Sequence, residues 1–462
     1  MFDIVTVALV GWIFMVPLLF SVLTPRRAVL VAFLFAWLFL PQGAIGLPGL
    51  PDLTKITATS FGALLGVVLF DAGRFRKYRF NWVDLPILIW CVAPMASSLS
   101  NGYGPYDGAS AVLSQIAIWG VPYLIGRLYF NTLESVRELA IAIFIGGLVY
   151  VPLCLWEVRM SPQLHRMVYG YHPSAFAMTL RFGGYRPMVF MQHGLMVGLW
   201  MTSATLVGAW LWTSGSLKRI YGMPMILPVG VLFATTVLCK SVGALVLLFA
   251  GLGLLFVGRH VKTPVLLLIA VLIAPGYMAL RATGTWSGQG MVRIASRLDE
   301  ERARSLAGRL ENEDMLARRA ARKQLFGWGS WGDWRVTDAE TGKDITVSDG
   351  MWIITYGKTG LLGLVSLTTA LLLPVLLLAK RVKFGQWSHR LAAAPAALAV
   401  LLILFSIDNL LNAMLNPIFM LGAGALSGFY IMAPKLMAVA RSRSVLKSED
   451  YVPTGASATT GP

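Results

Sequence analysis

Charge is scarce in this chain. Only 13% of its 462 residues are Asp, Glu, Lys or Arg, against 56% hydrophobic. That balance excludes an ordinary water-soluble globule, in which charged residues make up about a quarter. Cysteine is rarer still. Cys91, Cys154 and Cys239 all fall in or beside apolar runs, where they read as small packing residues and exclude a disulfide framework or a thiolate metal site. No G-x-x-x-x-G-K-[ST] phosphate loop occurs, so this chain holds no ATPase module. Nor is any internal repeat evident, of the kind common in transporters.

What fills the sequence is apolar runs of roughly 17 to 23 residues, long enough at about 1.5 Å per residue to cross a hydrocarbon core of roughly 30 Å. They fall near residues 4–23, 28–45, 56–72, 84–99, 110–126, 139–156, 190–212, 223–239, 241–257, 264–280, 360–379, 391–411 and 416–433. The expected fold is therefore all-α, a polytopic transmembrane bundle of about 13 spans. Met1-Phe2-Asp3 lacks the basic start of a signal peptide, and the first run is expected to remain as a span.

Basic clusters mark every second connection, among them Arg26-Arg27, Arg74 to Arg79, Lys218-Arg219, Lys380 to Arg390, and Lys435 to Lys447. The positive-inside rule assigns these to the cytoplasm, which puts the N-terminus outside and the C-terminus inside. The net charge of +17 is then mainly a topology signal, and no nucleic-acid partner is expected. Four regions follow: spans with short loops over 1–280, a large external loop and re-entry segment over 281–359, the last spans over 360–433, and a polar, disordered cytoplasmic tail over 434–462.

Polar chemistry is costly inside lipid, so it should concentrate in the external loops. One external segment, from Glu157 to His193, carries Arg159, Arg166, Arg181 and Arg186 with three histidines. Its Phe-Gly-Gly-Tyr-Arg-Pro stretch must be a turn, which places Arg181 and Arg186 at the mouth of the next span. Planar guanidinium matches two phosphate oxygens at once. The plainer alternative is contact with lipid headgroups.

The large loop from Arg281 to Asp349 holds 12 basic and 11 acidic residues. From Asp299 to about Leu325 it reads as a helix, with Leu306/Leu310 and Leu316/Ala320 recurring at i,i+4. Most of its charges are expected to pair along a solvated face, as Asp314 and Arg318 would. Phe326-Gly327-Trp328-Gly329-Ser330-Trp331-Gly332 ends the helix; Trp328 and Trp331 suit stacking on sugar rings or anchoring at the interface. Asp349, where the chain re-enters, suits either a helix cap or a carboxylate base. Lys240-Ser241 forms a short external turn, and Asp408-Asn409 lies deep in an apolar run, as a functional carboxylate or a partner for one of the arginines.

Taken together, these features resemble the O-antigen ligase and O-antigen polymerase superfamily of bacterial inner-membrane glycosyltransferases. The likeness covers roughly residues 190 to 430. It rests on the dozen or so spans and the large loop at two-thirds of the chain. The loop helix carries Ala307-Gly308-Arg309 and leads into Phe-Gly-Trp-Gly, followed by the Lys-Thr-Gly-Leu-Leu-Gly re-entry and a Lys240-Ser241-Val-Gly turn. Ligases of this superfamily usually keep a histidine where Asp349 stands, so the chain looks more like the polymerase branch.

The resemblance implies a metal-independent, cofactor-free enzyme that polymerises undecaprenyl-diphosphate-linked oligosaccharides into an exported or cell-surface polysaccharide, at the periplasmic face of the inner membrane. Arg181, Arg186 and Lys240 would bind the diphosphate, Arg309 and Asp349 would be catalytic with Asp349 as base, and Trp328 and Trp331 would stack on sugar. Membrane lipids, a flippase and a chain-length regulator are the implied partners. Two other readings stay open: a ligase that moves the glycan to lipid A core or another acceptor, and a polysaccharide flippase or other transporter.

Overall fold

In a computed structural model, residues 3–432 are described apart from 262, 298–299 and 339; the expected tail over 434–462 and the expected helix start at Asp299 lie outside the described residues. Helices dominate, most of them apolar. They are α1 (Ile4–Val22), α2 (Pro25–Phe39), α3 (Lys55–Phe70), α4 (Leu85–Ser100), α5 (Pro105–Tyr129), α6 (Leu133–Met160), α7 (Gly194–Thr213), α8 (Ile226–Leu238), α9 (Val242–His260), α10 (Val265–Ala282), the loop helix α11 (Glu300–Ala320), α12 (Met351–Arg381), α13 (Ala393–Leu411) and α14 (Pro417–Met432). Among the described residues, 9 helices are long and apolar enough to cross a membrane, and α3, α8 and α14 are shorter apolar helices. The chain is thus an all-α membrane protein.

Local sequence sets the helix starts. Thr54 and Thr132 close capping boxes at α3 and α6, satisfying amide donors that the first turn leaves free. Pro25 opens α2, where its missing N–H costs nothing.

At the centre, α7 buries nearly every residue against α6, α8, α9 and α13. By contrast, α1 and α10 turn large apolar side chains outward; Phe14 is 67% exposed and Leu272 61%. Such faces would be unfavourable in water and are at home against lipid tails, because the hydrophobic effect does not oppose contact between apolar groups. Cys91, Cys154 and Cys239 are all buried.

Connections that charge patterning assigns to one side touch one another. On the side of the large loop, Tyr171 donates to the Gln42 carbonyl at 2.6 Å, Arg186 to Ser241 Oγ at 3.2 Å, Asn101 to the Gly327 carbonyl at 3.0 Å and Arg309 to the Leu411 carbonyl at 3.0 Å. Among the basic connections, Arg26 pairs with Glu138 at 3.1 Å, Arg137 donates to the Ser216 carbonyl at 2.9 Å and Arg381 lies over Tyr430.

Candidate functional site

The Glu157–His193 segment is pinned at both ends by one carboxylate. Glu157, 1% exposed at the end of α6, accepts from the backbone N–H of Leu164 at 3.0 Å and of Met188 and Val189 at 2.7 Å each. Between those anchors the expected turn is an antiparallel hairpin, β1 (Leu180–Arg181) against β2 (Gly184–Tyr185). Phe182 and Gly183 both take positive φ, 48° and 65°, as a two-residue hairpin turn that follows the strands' twist requires.

That hairpin delivers the basic residues to one place. Arg186 is buried, donates to Ser241 and lies along Gly194, where any Cβ would collide with its side chain. The Lys240 ammonium sits against Gly184 of β2, again where a Cβ would fall. Two glycines therefore make room for two cations. His193, the residue before α7, turns its Nδ1 to accept from the Leu195 N–H at 3.1 Å. Burial, then the positive charges of Arg186, Arg309 and Arg181, push its imidazole down to about 4. The charges of the hairpin and of the loop helix thus both act on His193.

Arg309 stands on α11. Its Nε pairs with Asp349 Oδ2 at 3.2 Å, and its Nη1 donates to the Leu411 carbonyl and to Asn412 Oδ1 at 3.4 Å. Asn412 in turn donates to Asp408 Oδ1 at 2.8 Å. Asp408 thus serves an arginine, one of its two expected roles, through an intermediary. Asp349 is not a helix cap: the N-cap of α12 is Gly350, with no side-chain cap bond, and the carboxylate is committed to Arg309.

The loop helix is held by a buried ion pair. Arg281 at the end of α10, 2% exposed, pairs with Glu313 at 3.2 Å and Asp314 at 3.0 Å. Glu313 also accepts from Tyr277 at 2.7 Å and from Trp352 Nε1 at 3.1 Å. Asp314, expected to pair along the helix with Arg318, turns inward to Arg281 because a desolvated guanidinium needs the carboxylate more than an exposed one does. Leu310, Leu316 and Ala320 bury the predicted apolar stripe.

Phe-Gly-Trp-Gly and the re-entry stretch prove to be one interlock. The N–H groups of Trp328 and Gly329 donate to the carbonyls of Gly357 and Lys358 at 2.9 and 3.0 Å, while Leu361 and Leu362 donate back to Gln324 and Leu325 at 2.7 and 3.1 Å. Inside α12, Gly360 breaks the helix with φ 63° and ψ −158°, and this exposes the amides used in that exchange. Trp328 is consequently occupied: Arg319 and Lys323 lie over its ring at 3.7 and 4.3 Å, and its Nε1 donates to the Arg319 carbonyl at 2.9 Å. Trp331, 68% exposed, is the open member of the two.

Beside Arg309 lies an apolar cavity of about 390 Å³ between α10 and α13, lined by Ile273, Leu280, Trp286, Ile407, Leu410 and Leu411. Leu411 joins the two features: it lines the cavity and its carbonyl accepts from Arg309. His193, Ser241 and Asn412 were not singled out as site residues from sequence. For Asn412 a signal existed, its position four residues after Asp408, one helical turn on. No protein-family model matches this chain, and no curated protein matches it either.

Proposed function

We propose that the chain is a metal-independent glycosyltransferase of the polymerase type, which elongates lipid-diphosphate-linked oligosaccharides at the external face of the bacterial inner membrane. One observation carries the reading: a cationic cluster adjoins an apolar cavity. The positive charges of Arg181, Arg186 and Arg309 all act on His193, the Lys240 ammonium packs against Gly184 of the hairpin, and Leu411, whose carbonyl accepts from Arg309, also lines the cavity. A diphosphate suits the first and a prenyl chain the second.

The large loop faces outward in this reading, because the basic clusters lie on the opposite connections. A hydroxyl of the acceptor sugar attacks the anomeric carbon of the lipid-linked donor. The bond from that carbon to the diphosphate oxygen breaks with its electron pair on the oxygen, and the hydroxyl proton passes to Asp349. Fixed cations lower the barrier by meeting charge that develops on the leaving group, and removing one such donor typically costs about 10²–10³ in rate. The polymerase reading over the ligase rests on Asp349 in the place where the resembled ligases have a histidine.

Purified protein in lipid nanodiscs, given undecaprenyl-diphosphate-linked repeat units, should produce a ladder of longer lipid-linked products. If the units stay unjoined while an established polymerase elongates the same preparation, the reading is wrong.

A further inference from the structure

A second basic feature stands apart from that site. Arg318, Arg319, Arg322 and Arg335 line a surface cavity of about 380 Å³ together with Met315 and Thr337. At 3.6 residues per turn Arg318 lies about half a turn round α11 from Arg309, so the cavity opens on the other face of the loop helix. Two of its arginines are held in place. Arg319 stacks on Trp328 at 3.7 Å and donates from Nε to the Asp333 carbonyl at 3.0 Å. Arg335 pairs with Asp344 at 3.0 Å and lies over Trp334 at 5.3 Å. Among the described residues, Asp344 is the carboxylate paired with any of the four, and Arg318 and Arg322 are exposed.

Four guanidinium groups around one cavity, with a single carboxylate to offset them, would repel each other in an empty structural role. Among the described residues no ion pair engages Arg318, Arg319 or Arg322, and the exposed Arg335–Asp344 pair contributes little to stability. Rigid stacking on tryptophan leaves the edge donors of Arg319 free to fork onto planar anions.

We infer that this cavity is an anion site for an acidic oligosaccharide, with sugar carboxylates seated on Arg318, Arg319, Arg322 and Arg335. That the occupant is a saccharide rests on the glycosyltransferase reading; that it is anionic rests on the cavity alone. The site holds the glycan on the outer face of α11 while its end is served at Arg309.

Binding of hexagalacturonate to the full-length protein in neutral-lipid nanodiscs tests this, read by tryptophan fluorescence, with maltohexaose as the uncharged control. Hexagalacturonate should bind and maltohexaose should not. Arg318→Glu/Arg322→Glu, both at exposed positions, should weaken binding by about tenfold or more. Arg309→Ala should leave binding intact even though it lowers transfer by about 10²–10³, which separates this site from the reaction centre. Equal binding of both hexasaccharides, or full binding by the double variant, would overturn the inference. So would loss of phosphatidylglycerol binding in the double variant without any hexagalacturonate binding, which would assign the cavity to lipid headgroups.

Discussion

At the scale of single residues, Arg309 and Asp349 are the sharpest test of the site. Arg309→Ala should lower the transfer rate by about 10²–10³. Lys should recover only part, because it loses the two-pronged geometry. Asp349→Asn removes no helix cap, since Gly350 starts the helix without side-chain help, though it also weakens the pairing with Arg309. It should abolish transfer if the carboxylate takes the proton; near-normal rates would remove Asp349 from the chemistry. His193 makes a separate pH prediction. Its imidazole titrates near 4 in the folded protein against about 6.5 unfolded, so between these values the unfolded chain binds more protons. Stability is therefore full above about pH 6.5 and is lost as pH falls towards 4. Thermal unfolding of His193→Asn, which keeps a cap acceptor, should show a flatter profile over that window. A diphosphate among the arginines would offset their charge, so the ring should titrate higher when undecaprenyl diphosphate is bound, as NMR of labelled histidine would record.

Among the elements, the break in α12 decides how the large loop sits. At Gly360 a Cβ would fall 2.5 Å from the Leu325 carbonyl carbon, in a backbone region that essentially only glycine occupies. Gly360→Ala should cost about 1–3 kcal/mol in strain alone and should free the Phe326–Gly332 stretch, seen as faster proteolysis of the loop with the spans intact. Unchanged proteolysis would mean that the interlock is not what fixes the loop. Here the sequence was informative in kind and silent in detail. Its hydropathy located most of the apolar helices, because lipid leaves the backbone few alternatives to helix, while 9 helices among the described residues, against about 13 expected, are long and apolar enough to cross a membrane. The apolar stripe of α11 was legible in Leu310, Leu316 and Ala320. That Asp314 serves Arg281 and not Arg318, or that Trp328 is covered by Arg319 and Lys323, depends on tertiary neighbours that no local spacing records.

For the whole molecule, orientation is the first question. Cysteines placed at Ser330 and Ser216 should react oppositely with a membrane-impermeant thiol reagent, Ser330 from outside only. Reaction at Ser330 only after the inner membrane is permeabilised would reverse the topology and remove the site from the external face. Loss of the protein should leave single repeat units on the lipid carrier; long carrier-linked polymer would favour a ligase instead. At this scale the Gly-Gly turn with Arg181 and Arg186 was legible as a turn, yet its contact with Lys240 was not, because the chain supplies that partner from a distant segment.

The buried pairing of Arg281 with Glu313 and Asp314 has a consequence for how the protein is made. Arg281 emerges at the end of α10 before either partner has been synthesised, and a lone guanidinium there must keep its head among water and phosphates. With the loop external, as proposed above, only after the next 32 residues have crossed the membrane can it be drawn inward. In that topology export of the loop is a precondition for seating α10, and a ribosome stalled just after α10 would leave that helix displaced towards the outer interface.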